Sequence, residues 1–178
     1  TALHLGAVAP SALPARDPGE FEAWIGFGGN VGDRGAAIQR AVDALGPGVS
    51  AVSPIYETAP WGVLDQGWFL NGVLRMHWEG SALDLLSCCL DIERSLGRVR
   101  SKKNGPRVID LDVLVLGPAC LEEPQLLLPH PGIASRRSVL EPWAHLAPEL
   151  LIPGTGRTVA MLRDAAESLE GQEVRALT

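Results

Sequence analysis

Two aspartates stand two residues apart inside an otherwise apolar segment, Arg107–Leu116 (RVIDLDVLVL). In a β-strand, side chains at positions i and i+2 lie on one face, roughly 7 Å apart at their origins, so Asp110 and Asp112 would point the same way. Two buried carboxylates repel each other unless a positive group lies between them. Carboxylates, water and substrate phosphates are the usual ligands of Mg²⁺. The pair therefore predicts a divalent metal site, with two ions bridged by the aspartates; the alternative is an edge strand whose polar face is solvated.

A cluster of basic residues precedes and enters this segment. Five of the 15 Lys and Arg residues fall within ten positions, namely Arg98, Arg100, Lys102, Lys103 and Arg107. Arginine binds phosphate oxygens in a bidentate manner, and a metal ion neutralises the other side of the same polyphosphate. Taken alone, such a loop is typical of a solvated surface. Beside the aspartate pair it predicts a binding site for the triphosphate of ATP, and without a G-x-x-x-x-G-K-[ST] motif this is not a P-loop.

Other side chains are weaker candidates when each is taken alone. His130 lies in an L-P-H-P segment before Arg136 and could donate to a phosphate oxygen or transfer a proton, although a surface histidine is the common alternative. Asn71, within an apolar segment, could bind the donor and acceptor edge of a flat heterocycle or be a satisfied core amide. Phe69 and Trp61 could stack on such a ring or pack in the core.

The elements that position these residues follow from hydrophobic periodicity and from turn residues. Strands are predicted at Glu22–Gly28, Val49–Tyr56, Phe69–Trp78 and Arg107–Leu116, and helices after Asp33, from Ser81 to Leu96, at Ser138–Leu146 and at Val159–Glu170. The glycine-rich segment 28–32 predicts a turn. Two consecutive strands without a helix between them favour an α+β fold with a ferredoxin-like split βαβ core. This fold would have a mostly antiparallel sheet and extra C-terminal helices, and it is favoured over a doubly wound parallel sheet.

Composition limits the classes of function. The chain has 178 residues, of which 46% are hydrophobic and 20% charged, and a formal net charge of -6. We expect a flexible extension over residues 1–20 and a single domain over 21–178. The acidic balance argues against binding to nucleic acid or to an anionic membrane, and no apolar run reaches the ~20 residues of a membrane span. Adjacent Cys88 and Cys89 make a disulfide between them strained, so we expect reduced cysteines and a cytoplasmic protein, and we also expect a monomer.

Several motifs occur together in the order found in one enzyme family. They are Phe27–Asn30 (FGGN), Tyr56–Pro60 (YETAP), Phe69–Asn71 (FLN), Glu93 with Gly97–Arg100 (GRVR), Gly105–Asp112 (GPRVIDLD) and Leu128–Pro131 (LPHP). Over roughly residues 24–163 the chain resembles the 6-hydroxymethyl-7,8-dihydropterin pyrophosphokinases of folate biosynthesis, and GPRVIDLD with LPHP is the most specific part. The resemblance implies a ferredoxin-like α+β fold. It also implies transfer of the pyrophosphoryl group of ATP to the pterin hydroxymethyl oxygen, with release of AMP.

The resemblance also implies a role for each matching residue. The implied catalytic residues are Arg98, Arg107, Asp110 and Asp112, and the two aspartates are the implied ligands of two Mg²⁺ ions. The implied ATP-binding residues are Glu93, Arg98, Arg100, Arg107, His130 and Arg136. The implied pterin-binding residues are Thr58, Pro60, Trp61, Phe69 and Asn71. Two positions depart from the family pattern: Pro131 replaces an aromatic residue, and Ser138 replaces a second aromatic ring, which predicts a one-sided stack on the pterin.

Two other functions are compatible with parts of this pattern. An ordinary kinase would transfer only the γ-phosphoryl group and release ADP rather than AMP. A non-catalytic ferredoxin-like module that binds nucleotides or RNA would carry exposed aromatic pairs on its sheet and a broadly basic face. The acidic balance and the aspartates inside an apolar segment argue against this module.

Overall fold

The computed structural model describes residues 20–60, 63–99, 105–166 and 171–177. Its strands are β1 (Glu20–Gly29), β2 (Val49–Val52), β3 (Tyr56–Thr58), β4 (Phe69–Glu79), β5 (Asp110–Leu116), β6 (Leu121–Glu123), β7 (Leu126–Leu128) and β8 (Val174–Ala176). Its α-helices are α1 (Arg34–Leu45), α2 (Ala82–Ser95), α3 (Arg137–Leu146) and α4 (Val159–Ala166), and a short 3-10 helix (Ile133–Ser135) precedes α3. No helix within these ranges is long and apolar enough to cross a membrane. Residues 1–19, Trp61 and Arg100 lie outside the described residues.

The main sheet has the strand order β5-β1-β4-β3-β8, and β2 pairs with β4 beside β3. Strand β1 is antiparallel to both β4 and β5, and β2 is antiparallel to β4. Therefore β1 and β2 are parallel with β4 between them, and β4 and β5 are parallel with β1 between them. These two interleaved βαβ units are the predicted split βαβ, ferredoxin-like core, which is confirmed.

Helices cover both faces of this sheet. On one face α1 and α2 pack against a core that includes Ile25, Phe27, Ile38, Leu74, Leu85, Cys89, Leu111 and Val113. On the other face α3 and α4 pack against a core that includes Trp24, Val73, Leu114, Leu140, Trp143, Val159 and Leu162. A sheet that is buried on both faces needs apolar residues at successive positions, which explains the apolar run around the two aspartates of β5.

Local side-chain caps begin the first two helices where the sequence predicted them. Asp33 Oδ1 accepts a hydrogen bond from the backbone N–H of Ala36 at 3.0 Å. Ser81 Oγ accepts from the N–H of Asp84 at 3.1 Å, and the Asp84 carboxylate accepts in return from the N–H of Ser81, also at 3.1 Å. These contacts satisfy backbone donors that the first turn of a helix leaves unpaired.

The predicted second strand, Val49–Tyr56, is wrong as a single element. It divides into β2 and β3, which pair with different parts of β4. Between them, Ser53 Oγ accepts a hydrogen bond from the N–H of Val73 at 3.0 Å. Pro54 follows and has no N–H to donate. The regular strand ladder is therefore interrupted at these two residues.

The predicted glycine turn is also wrong in part, because Gly28 and Gly29 belong to β1. The irregular segment comes after them, where Gly32 has a φ of 68° in the left-handed region that favours glycine. A Cβ at Gly28 would come well inside van der Waals contact of Asn71 Oδ1, and one at Gly29 would clash in the same way with the carbonyl oxygen of Val108. These two strand glycines therefore serve the close approach of neighbouring chain segments.

One further boundary differs from the sequence prediction. The segment Arg107–Leu116 becomes a strand only at Asp110, because the carbonyl oxygen of Arg107 accepts from the N–H of Asn30 at 2.9 Å and is held outside the sheet ladder. The last helix begins at Val159 as predicted, and the end of its predicted range falls outside the described residues. Strand β8 has no counterpart among the predicted elements. The three cysteines are free thiols, as expected.

We predict that Ser81→Ala lowers the free energy of unfolding by about 1 kcal/mol, because it removes the acceptor that begins α2. Urea denaturation monitored by circular dichroism measures this change. Ser87→Ala is the matched control: Ser87 lies exposed within the same helix, where alanine is the better helix former. Equal stability of the two variants would contradict the capping role.

Candidate active site

The two aspartates lie on the face of β5 that the α3 and α4 layer covers. Asp112 shares this face with Leu114, which belongs to the core under α3. Strand pairing places Gly28 opposite Asp110 and Gly26 opposite Asp112. Because glycine has no side chain, β1 places no bulk beside the two carboxylates on this face. The side chains of Asn71 and Leu114 instead approach β1 closely at Gly28 and Gly26.

A polar and aromatic group continues across the same face of the sheet. On β4, Asn71 pairs with Gly28, and its Nδ2 donates to Thr58 Oγ1 at 2.5 Å. Thr58 pairs in turn with Phe69, whose side chain is nearly buried. The guanidinium carbon of Arg107 lies 5.1 Å from the centroid of the Phe69 ring, which is within cation–π range. Arg107 also contacts Asp110 and thus links this carboxylate to the aromatic ring.

Asp110 is held by two arginines. Its Oδ1 lies 2.7 Å from Arg98 Nη1 and its Oδ2 lies 3.3 Å from Arg107 Nη1. Arg98 Nη1 also pairs with Glu93, a side chain from the last turn of α2 that is buried in the protein. The Glu93 carboxylate accepts from the backbone N–H of Leu111 at 2.7 Å. Glu93 therefore fixes both the direction of Arg98 and the start of β5.

Asp112 is paired with a third arginine, because Arg136 Nη1 donates to its Oδ2 at 2.9 Å. His130 lies beside this pair, and its backbone N–H donates to the carbonyl oxygen of Leu114 at 2.9 Å. The Nδ1 atom of His130 accepts from the N–H of Gly132 at 2.9 Å. In the neutral ring the proton must therefore be on Nε2, which is free to act as a donor.

The charges of the site shift the pKa values of its members. Burial, followed by the like charge of Asp110, raises the pKa of Asp112. Burial also raises the pKa of Glu93 and lowers the pKa of His130. Burial would lower the pKa of Arg98, but the carboxylates of Asp110 and Glu93 outweigh it and raise that pKa. The raised pKa of Asp112 means that added positive charge beside the aspartates would be favourable.

Asn30 connects two segments of the site by hydrogen bonds. The sequence pattern did not predict this role. Its Oδ1 accepts from the N–H of Arg107 at 2.9 Å, and its Nδ2 donates to Gln66 Oε1 at 3.0 Å and to the carbonyl oxygen of Gly67 at 2.9 Å. The loop before β4 is thereby fixed to the segment before β5. The motif FGGN marks this residue, but its partners are 36 to 77 positions distant in the chain, so the motif alone could not identify them.

The structure brings most of the predicted site residues together. Those that converge on the aspartates are Glu93, Arg98, Arg107, His130 and Arg136. Those beside the amide and aromatic group are Thr58, Phe69 and Asn71, and Pro60 is buried close to Thr58 in the chain. The predicted roles of Arg100 and Trp61 fall outside the described residues. Ser138 lies in the first turn of α3.

Known proteins share this sequence pattern. The sequence model of the 7,8-dihydro-6-hydroxymethylpterin-pyrophosphokinase (HPPK) family matches residues 24–148. The chain belongs to this pyrophosphokinase family. The match covers both aspartates, all three arginines that bind them and the amide and aromatic group. The predicted family, and with it the predicted class of enzyme, are confirmed.

Individual members of the HPPK family are similar over most of the chain. The 2-amino-4-hydroxy-6-hydroxymethyldihydropteridine pyrophosphokinase of Methylorubrum extorquens is 45% identical over 136 residues, which is 74% of this chain and 86% of that protein. The enzyme of the same name from Mycobacterium leprae is 36% identical over 168 residues, or 85% of this chain and 86% of that protein. The folic acid synthesis protein fol1 of Schizosaccharomyces pombe is 38% identical over 157 residues, but the chain spans only 21% of its length.

Solved structures of HPPK-DHPS proteins have the same fold. One, in complex with substrates, superimposes with a TM-score of 0.68 at 12% identity over 83% of this chain and 43% of that chain. The wild-type Plasmodium falciparum HPPK-DHPS with pteroate gives a TM-score of 0.65 at 14% identity over 85% of this chain and 43% of that chain. The chain thus spans less than half of these longer proteins, and at this identity the likeness concerns the fold alone.

We predict that Glu93→Gln lowers the free energy of unfolding by about 2 kcal/mol, because the uncharged amide loses the charge-assisted contact with Arg98. Chemical denaturation at neutral pH measures the change. Glu122→Gln, at an exposed glutamate of β6, is the matched control and should change stability by less than about 0.5 kcal/mol. If both variants were as stable as the parent protein, Glu93 would have no anchoring role.

Proposed function

We propose that this chain transfers the pyrophosphoryl group of ATP to the hydroxymethyl oxygen of 6-hydroxymethyl-7,8-dihydropterin and releases AMP and the pterin diphosphate. One observation carries the proposal: a single face of the sheet holds the aspartate pair with its three arginines next to the Asn71, Thr58 and Phe69 group. The first set suits a polyphosphate with its metal ions, and the second suits a flat heterocycle. Their adjacency suits a reaction between the two substrates, and membership of the HPPK family supports this choice.

The aspartates fit magnesium ions that bind together with a nucleotide. Asp110 and Asp112 present two carboxylates on one strand face, and burial with the like charge of Asp110 raises the pKa of Asp112, which supports a positive group beside the pair. Within the described ranges, no group of three or more His, Cys, Asp or Glu side chains is arranged to hold a metal ion. Phosphate oxygens and water would therefore complete the coordination, as is usual for Mg²⁺. We propose two such ions, which would neutralise phosphate charge and lower the pKa of the pterin hydroxyl.

The arginines and His130 would bind and align the triphosphate. In phosphoryl-type transfer, the protein contributes mainly by aligning the substrates and by neutralising the charge of the phosphates. Arg98 and Arg107, now paired with Asp110, are the proposed catalytic residues, since they can stabilise charge on the bridging and terminal oxygens. Arg136, which contacts Asp112, and the Nε2–H of His130 would donate to phosphate oxygens. Glu93 would contribute by positioning Arg98 rather than by contact with the nucleotide.

The Asn71, Thr58 and Phe69 group would bind the pterin. The Phe69 ring supplies one face for stacking, and the amide of Asn71 offers a donor and an acceptor for the heterocycle edge. Pro60 and Trp61 would complete the pocket, as the sequence resemblance implies. Ser138 supplies no second ring, so the stack would be one-sided. Arg107, which lies over Phe69 while contacting Asp110, would sit between the two substrates.

The oligomeric state and the cellular compartment of the enzyme are part of the proposal. Because one fold brings the aspartate pair next to the Asn71, Thr58 and Phe69 group, we propose that a monomer is sufficient. Three free thiols suit a reducing compartment, and we place the enzyme in the cytoplasm.

We predict that Asp112→Asn lowers kcat by roughly 100-fold or more, because it removes a negative charge that would bind the metal ions. Those ions would stabilise the negative charge that develops on the phosphates during transfer. The assay mixes protein, MgATP and the hydroxymethyl dihydropterin, and it quantifies AMP and the pterin diphosphate by chromatography. Asp91→Asn, at an exposed aspartate of α2, is the matched control and should keep full activity.

The same assay separates the proposed function from its alternatives. Addition of EDTA in excess over Mg²⁺ should abolish product formation. Release of ADP in place of AMP would identify an ordinary kinase. RNA binding with no Mg²⁺-dependent consumption of ATP would instead identify a binding module.

We predict that Gly28→Ala raises the KM for the pterin by about tenfold while changing the KM for MgATP little, because the added Cβ displaces the Asn71 side chain. Steady-state kinetics with each substrate varied in turn measures both constants. Gly26→Ala is the steric control, since its Cβ meets the Leu114 side chain at an ordinary 3.5 Å, and it should raise the pterin KM much less. An unchanged pterin KM in Gly28→Ala would remove Asn71 from the pterin pocket.

A further inference from the structure

Residues Gln172–Ala176 lie along one side of the site, and we call them the C-terminal strap. Its strand β8 pairs antiparallel with β3, where Val174 lies opposite Thr58. The pairing continues beyond the strand, because the N–H of Ala59 donates to the carbonyl oxygen of Glu173 at 3.0 Å. The strap is thereby fixed to the strand that carries Thr58.

The first residue of the strap caps helix α3 from a distant part of the chain. Residue Arg136 is the N-cap of α3, and its side chain makes no capping hydrogen bond. Instead Gln172 Oε1 accepts from the backbone N–H of Arg137 at 2.9 Å, and Gln172 Nε2 donates to the carbonyl oxygen of Ser135 at 3.0 Å. One glutamine side chain therefore binds the backbone on both sides of Arg136 and satisfies a donor of the first helical turn.

The side chain of Arg137 in turn binds the backbone of the strap. Its Nη1 donates to the carbonyl oxygen of Gln172 at 3.2 Å, and its Nη2 donates to Glu141 Oε1 at 2.8 Å. Arg137, Glu141 and Gln172 thus form a connected set at the start of α3. This set fixes the backbone of Arg136, the residue whose side chain binds Asp112.

We propose that Gln172 is a positioning residue that holds Arg136 in register with Asp112, and that the C-terminal strap couples this arginine to the Thr58 strand. The inference rests on the proposed function, because it assigns Arg136 to the nucleotide phosphates. The strap lies beyond residues 24–148, which the family model matches, so it is a feature of this chain outside that match.

Substitution of Gln172 tests the proposal. Gln172→Ala should raise the KM for MgATP by about fivefold, as expected for loss of a helix cap that positions Arg136. The dissociation constant of a magnesium-bound, methylene-bridged ATP analogue, measured by calorimetry, should rise by a similar factor. Gln172→Met, which keeps the length of the side chain but neither polar atom, should behave in the same way. Gln172→Glu keeps the acceptor for Arg137 and should restore most of the affinity.

Two controls distinguish positioning from a general loss of stability. Gln39→Ala makes the same change at a half-buried glutamine of α1, whose side chain donates to Asp43, and should leave both constants unchanged. In an Arg136→Ala background, Gln172→Ala should have almost no further effect on nucleotide affinity, because the residue through which it acts is gone. A merely structural role would give effects that add.

Either of two results would overturn the proposal: nucleotide affinity within twofold of the parent in both Gln172→Ala and Gln172→Met, or an undiminished effect in the Arg136→Ala background. Absence of AMP formation by the parent protein would refute the proposed function instead. The calorimetric comparison would still test the strap, because it needs only nucleotide binding.

Discussion

The repulsion between Asp110 and Asp112 is the constraint on which the rest of the site depends. Two carboxylates on one strand face destabilise each other, and each must be compensated by positive charge. The compensating arginines come from three separate places, namely the end of α2, the segment before β5 and the start of α3. The two layers of helices therefore have to be fixed against one sheet before the acidic pair can exist without metal ions. Binding of Mg²⁺ with a polyphosphate would replace the carboxylate–arginine pairs. The metal ions would then bind the carboxylates, and the arginines would bind the phosphates.

Strand β1 makes this change of partners possible because its residues next to the aspartates are glycines, which have no side chains. Glycines of β1 lie opposite both aspartates, and Gly28 also admits the amide of Asn71 from the other neighbour. A larger residue at Gly28 would separate the metal side from the heterocycle side. The substrates of a transfer reaction have to meet within bonding distance, so the glycines of β1 are as much a part of the proposed chemistry as the charged groups.

Features of the site that depend on local sequence were predictable, and those that depend on distant contacts were not. The caps at Asp33 and Ser81 and the common face of the two aspartates follow from spacing alone. The family motifs identified His130 and Arg136, and the structure adds their partners. By contrast, Gly28 and Gly29 were interpreted as a turn because the segments that approach them, Asn71 and Val108, are far away in the chain. Strand β8 has too few residues for a hydrophobic pattern and is defined by the free edge of β3.

The capping of α3 by Gln172 shows how such a distant contact can matter for function. A helix that begins with its own cap needs no other segment to define its first turn, as α1 and α2 demonstrate. The N-cap position of helix α3 is held instead by Arg136, whose side chain is directed to Asp112 and makes no capping hydrogen bond. The same position cannot supply both a guanidinium for Asp112 and a capping oxygen. The C-terminal strap resolves this conflict, because its Gln172 supplies the cap while its strand β8 pairs with β3. The backbone of the strap thereby connects the start of α3 to the strand that carries Thr58.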